Sequence, residues 1–127
     1  MKIAQIRRWS SAVAALGLML VATSLPAFAH AALLETAPAH EASTKSPEEL
    51  RLTFSESIEL AFAEITISGD GDQQIELEKL SLAPNDNKTM IVTVANQLPT
   101  GTFTVDWSVV SLDGHKVEGS YSFEVVE

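Results

Sequence analysis

No cysteine occurs anywhere in the 127 residues. Disulfides, thiolate metal sites, redox motifs and cysteine nucleophiles are therefore excluded, and an oxidising compartment adds no cross-link. Aromatic residues are sparse, with 2 Trp, 1 Tyr and 5 Phe, which leaves little for an aromatic surface that grips a polymer. Positive charge is scarce too, with 8 Lys and Arg against 17 Asp and Glu. That balance repels nucleic acid and anionic lipid, and it favours solubility and the attraction of cations. The longest apolar stretch, "AVAALGLMLVATSL", falls short of the roughly 20 residues that a membrane span requires.

That stretch has a different use. It follows a basic opening with Lys2, Arg7 and Arg8 and runs into "AFA", Ala27 to Ala29. Basic flank, short apolar core and small residues at the end are the three parts of a secretory signal peptide. Residues 1–29 are expected to be removed, although "AHA" (Ala29, His30, Ala31) also fits the small-x-small rule for cleavage. No cysteine follows, so a lipoprotein anchor is excluded. Residues 30–127 then form one domain, large enough to bury a core without staples. All 17 acidic residues and only five of the 8 basic ones lie in that part, giving a net charge of about −12 with histidines neutral.

Period-two alternation dominates the domain, and no segment carries a helical stripe. "ALLETAP" reads as a first short strand. "ELRLTFS" puts Leu50, Leu52 and Phe54 on one face, and "AEITISG" does so with Ile65 and Ile67. "DGDQ" turns the chain into "IELEKLSL", and "PNDNKT" turns it into "MIVTVA" with Met90, Val92 and Val94 aligned. "TFTVDWSVVS" aligns Phe103, Val105, Trp107 and Val109, and "VEGSYSFEVV" aligns Tyr121, Phe123 and Val125. Seven short strands with turns every 8–12 residues predict an all-β antiparallel sandwich or Greek-key barrel. "SESIELAF" has room for one helical turn. "DGDQQIELE" resembles the start of a calcium loop, but Ile75 stands where that loop requires glycine, so it reads as a hairpin turn. Trp107 sits mid-strand on the apolar face and reads as core.

Three histidines remain for chemistry: His30, His40 and His115. Cleavage after Ala29 makes His30 the first residue, with a free α-amine and an imidazole that close a chelate ring on one metal ion. Two nitrogens of this kind suit copper(II), which heads the divalent affinity order and prefers tetragonal nitrogen and oxygen donors. Asp113 and His115 lie two apart across Gly114, so on extended backbone their side chains leave the same side. They offer an oxygen and a third nitrogen. Taken alone, "SLDGHK" is also an ordinary Asp-Gly hairpin turn. His40, beside Pro38 and Glu41, reads as a solvated loop residue.

"HAALLETAPAHEASTKSPEELRLTFSESIE" and "WSVVSLDGHKVEGSYSFEV" together resemble the CopC family of periplasmic copper-binding proteins. The resemblance spans essentially all of 30–127. Its marks are the histidine after the cleavage point, "LRLTFSE", and the pattern W-x-V-V-S-x-D-G-H-x-x-x-G-x-x-x-F. It implies an immunoglobulin-like Greek-key β-barrel that binds one copper(II) through His30, Asp113 and His115. Glu56, in the "F-S-E" stretch, is implied as the carboxylate that orients an imidazole. It also implies a periplasmic copper carrier serving uptake or resistance, with an inner-membrane copper permease as partner. The methionine-rich copper(I) site of some family members has no counterpart, since Met90 is the one methionine beyond the leader. Copper(II) alone is therefore expected, bound by a monomer. Two other readings compete. One is a structural module. The other is a copper-dependent oxidative enzyme built on the same histidine brace, which the short domain, the aspartate and the scarcity of aromatics disfavour.

Overall fold

The computed structural model describes residues 31–127. Among them are eight strands: β1 (Leu33–Ala37), β2 (Ser43–Thr44), β3 (Glu49–Phe54), β4 (Glu64–Ser68), β5 (Leu77–Ala83), β6 (Asp86–Val94), β7 (Gly101–Val110) and β8 (Lys116–Val125). They form two four-stranded sheets, ordered β1-β3-β6-β5 and β2-β8-β7-β4. This is the expected β-sandwich. The alternation explains it. Leu50, Leu52 and Phe54 of β3, with Met90, Val92 and Val94 of β6, are buried from one sheet. Phe103, Val105, Trp107 and Val109 of β7, with Tyr121, Phe123 and Val125 of β8, are buried from the other. Apolar residues at every second position have one way to leave water together, which is face to face across the two sheets.

The two faces are joined by an edge-to-face contact between Phe54 and Trp107, with ring centroids 5.2 Å apart at 68°. Such a pair adds about 0.5–1.5 kcal/mol beyond its burial. Opposite Trp107 in the β7–β8 register stands Gly119. A Cβ built there would lie 2.5 Å from Cζ2 of the indole. The spacing from Trp107 to Gly119 is thus a packing constraint: the ring lies across the place a side chain would fill.

The structure departs from the sequence reading in two places. The eighth strand is the two-residue β2, which pairs parallel with β8 and is too short to carry an alternation. β6 begins at Asp86, inside the segment read as a turn, because Asn85 at φ +58° lets the hairpin close tightly. The helical turn expected in "SESIELAF" is present as a single 3-10 turn at Leu60–Phe62.

Gly119→Ala should destabilise the fold by about 1–3 kcal/mol, the usual cost of overpacking a filled core. Urea unfolding followed by tryptophan fluorescence measures it. A loss below about 0.5 kcal/mol, the range of neutral surface changes, would show that the indole moves aside freely.

Candidate metal centre

β7 and β8 are joined by a three-residue loop, Leu112–Gly114. The Ser111 N–H donates to the His115 carbonyl at 3.0 Å, and the Gly114 N–H donates to the Ser111 carbonyl at 2.9 Å. Gly114 has φ +87°. This is a type I turn closed by a left-handed glycine, one of the favoured longer hairpin connections. The hairpin turn read from "SLDGHK" is present: Leu112 and Asp113 occupy its centre, and Gly114 closes it. Nothing crowds a Cβ at Gly114, so its requirement is the backbone angle, not space.

The same turn, not an extended strand, brings the two predicted side chains together. Oδ2 of Asp113 lies 2.8 Å from Nδ1 of His115. Oδ1 accepts the His115 backbone N–H at 3.3 Å and the hydroxyl of Ser111. Ser111 is the next inward position after Val109 and is 2 % exposed, whereas residues 112–116 are exposed. The Ser111 hydroxyl first, and His115 second, hold the Asp113 carboxyl below the usual range, down to about 2. The carboxylate is therefore ionised at any physiological pH and ready to meet a cation. Ser111 was not singled out from the sequence. Its signal was there, a hydroxyl at an inward position of an otherwise apolar strand.

One crossover segment backs this loop. The Leu112 N–H donates to the Ser57 carbonyl at 3.2 Å, Glu59 N–H donates to the Val110 carbonyl at 2.8 Å, and Ile58 bridges to Ser111. On its other side, Ser55 holds the start of the described chain. Ala32 N–H donates to Oγ of Ser55 at 2.8 Å, and Ser55 N–H donates to the Ala32 carbonyl at 2.8 Å. Glu56, half-buried, lies in this segment between the two attachments. His30 lies outside the described residues; Ala31, which follows it, is fully buried.

His40 is elsewhere. Its Nδ1 accepts the backbone N–H of Ser122 at 3.1 Å, and its Nε2 lies 3.6 Å from Glu41. Ser122 is far along β8 from His115, about 20 Å at 3.3–3.4 Å per residue. His40 therefore belongs to the other end of the sandwich. Met90 is 0 % exposed in the core and offers its sulfur to no surface site. Among the described residues no group of three or more His, Cys, Asp or Glu side chains is gathered for a metal.

The described part is thus a β-sandwich whose end loop pairs an aspartate with a histidine, backed by a carboxylate-bearing crossover. Residues 33–126 match the CopC domain. The chain is 41% identical over 115 residues to Protein YobA of Escherichia coli K12, covering 90% of this chain and 91% of that one. It is 37% identical over 115 residues to Copper resistance protein C of Xanthomonas campestris pv. juglandis, covering 84% and 91%. The crystal structure of PcoC, a methionine-rich copper resistance protein from Escherichia coli, superposes with a TM-score of 0.71 at 28% identity, over 77% of this chain and all of that one. The chain belongs to the CopC family, whose members are copper-binding carriers and not enzymes.

Because Asp113 is depressed chiefly by the Ser111 hydroxyl, Ser111→Ala should raise its pKa toward the ordinary value of about 3.9. A folded-state pKa below the unfolded one stabilises the fold above the ordinary carboxylate range, and that stabilisation fades as pH falls toward 2. Carboxyl-carbon NMR titration of the metal-free protein reads the shift directly. An unchanged Asp113 titration in Ser111→Ala would remove the hydroxyl as its cause.

Proposed function

We propose that this protein is a periplasmic carrier of one copper(II) ion, exported by cleavage after Ala29. The ligands are the α-amine and imidazole of His30, a carboxylate oxygen of Asp113 and the imidazole of His115. The observation that carries the reading is the Asp113–His115 pair. Two donors at right angles on bonds of about 2.0 Å stand about 2.8 Å apart. The Oδ2 to Nδ1 separation is 2.8 Å, an ordinary hydrogen-bond length that holds the two donors side by side at a similar spacing. The remaining donors must come from outside the described residues. His30 is the fitting source, because Ala31–Ala32 and the ligand loop flank the same crossover.

The donor set is nitrogen and oxygen, without a thioether, and this selects copper(II) over copper(I). Burial of Met90 supports the same choice. Glu56 orients an imidazole by accepting its second N–H, the ordinary outer role at a histidine-bound metal. The protein works as a monomer, and its receiving partner is an inner-membrane copper permease. Leu112, 61 % exposed beside the ligands, offers that partner an apolar foothold.

Intact mass of the exported protein, with and without copper(II), tests the reading. The expected chain begins at His30 and gains one copper. A chain beginning at Ala32 has lost two of the four donors and ends the proposal.

Ligand identity is tested by substitution. His115→Ala should weaken copper(II) binding by more than the 10–100-fold that loss of an outer partner costs. His40→Ala should stay within about twofold, because a neutral surface change is worth under 0.5 kcal/mol. Competition titration against a copper(II) chelator measures both. Equal losses would mean the ligand set is wrong.

A further inference from the structure

We propose that Ser111 is the positioning residue of the copper site: its buried hydroxyl holds Oδ1 of Asp113, so that Oδ2 is the oxygen presented to the metal. The inference rests on Asp113 and His115 being copper ligands and adds what fixes one of them.

The inward positions of β7 are Phe103, Val105, Trp107 and Val109, all apolar and buried. Ser111 continues that series at 2 % exposure. Packing alone would be met there by alanine or valine. A buried hydroxyl instead has to find a hydrogen-bond partner. Two acceptors are within reach. The His115 carbonyl, at 3.3 Å, already receives the Ser111 backbone N–H at 3.0 Å. The other acceptor is Oδ1 of Asp113. A charged acceptor forms the stronger bond, so the hydroxyl is committed to the carboxylate.

The carboxylate is thereby given two unlike oxygens. Oδ1 is held from beneath by the Ser111 hydroxyl and by the His115 N–H at 3.3 Å. Oδ2 faces the His115 ring at 2.8 Å. Rotating the carboxylate to exchange its oxygens breaks both contacts at Oδ1. Ser111 is itself rigid: its backbone N–H and carbonyl close the turn, and it bridges to Ile58. On an otherwise exposed loop, and among the described residues, this hydroxyl reaches Asp113 from the interior. Without it, a single long backbone contact is left to orient Oδ1. The side chain must then be ordered when the metal binds, and affinity falls.

The test uses two pairs of variants that differ by one hydroxyl at nearly equal shape: wild type against Ser111→Ala, and Ser111→Thr against Ser111→Val. Copper(II) affinity is read by chelator competition, and the donor set by electron paramagnetic resonance of the bound ion. The hydroxyl-free member of each folded pair should bind about 10–100-fold more weakly, the range for outer partners, with a changed copper hyperfine pattern. Ser111→Thr should keep the wild-type pattern. In an Asp113→Ala background, Ser111→Ala should change affinity by less than about twofold, because coupled neighbours are not additive. Should Ser111→Ala fail to fold, the Thr/Val pair decides alone. The inference is overturned by equal affinity and spectra within a pair, or by the same loss from Ser111→Ala with and without Asp113. Failure of the wild type to bind copper(II) at Asp113 and His115 would overturn the underlying reading instead.

Discussion

The Asp113–His115 end of this molecule hangs on residues 55–58, in the crossover from β3 in one sheet to β4 in the other. Ser55 ties down the chain entering β1, and Ser57 ties down the turn between β7 and β8. Ile58 N–H donates to the Asn87 carbonyl at 3.0 Å, which adds the start of β6. A single backbone hydrogen bond contributes about 1 kcal/mol net, too little to hold three loops in register. The anchor is the Ile58 side chain, 2 % exposed in the core, where burial of such a group is worth about 1.5–3 kcal/mol. The apolar plug fixes the crossover, from which Ser55 holds the chain entering β1 and the Ser57 carbonyl holds the β7–β8 turn.

Much of the scaffold was legible because alternation is a strong signal when one face of every strand is buried. Each aligned set read from the sequence, from Leu50–Phe54 to Tyr121–Val125, is buried, except that Ile65 is half-buried while still packing against the core. What failed was local backbone chemistry. β2 has two residues and no period to read. The Asp-Gly pair marked a hairpin turn, and the hydrogen bonds of Ser111 set its turn residues as Leu112–Gly114. Asp113 and His115, expected to leave one side of extended backbone, are brought together instead by a turn with glycine at φ +87°. His30 was singled out because the expected cleavage would turn an internal residue into a terminus, a chemical event that no periodicity records.

The division of labour between core and loop bears on what such a site can do. No residue of the Asp113–His115 pair contributes to the apolar core, and the loop from Leu112 to Lys116 is exposed. Metal can then enter or leave without opening the sandwich, so exchange carries no unfolding cost. Precision has to come from elsewhere, since exposed side chains are otherwise free to sample rotamers. Here it comes from below, through a serine whose backbone belongs to the sheet and whose hydroxyl belongs to the site.

The same logic sets the direction of exchange in the proposed carrier. Residues 30–127 carry a net charge of about −12, which concentrates cations nearby without distinguishing among them. Discrimination falls to the donor set, where two nitrogens from one terminal residue favour copper(II) by their position in the affinity order. In the proposed set, half of the donors belong to the hairpin loop and half to the new chain end. A site so divided need not be released all at once: a receiving protein that captures the terminal amine and imidazole leaves copper on the weaker Asp113–His115 edge alone. Transfer by successive replacement of donors avoids the free ion altogether, which a copper site enclosed in the core could not do.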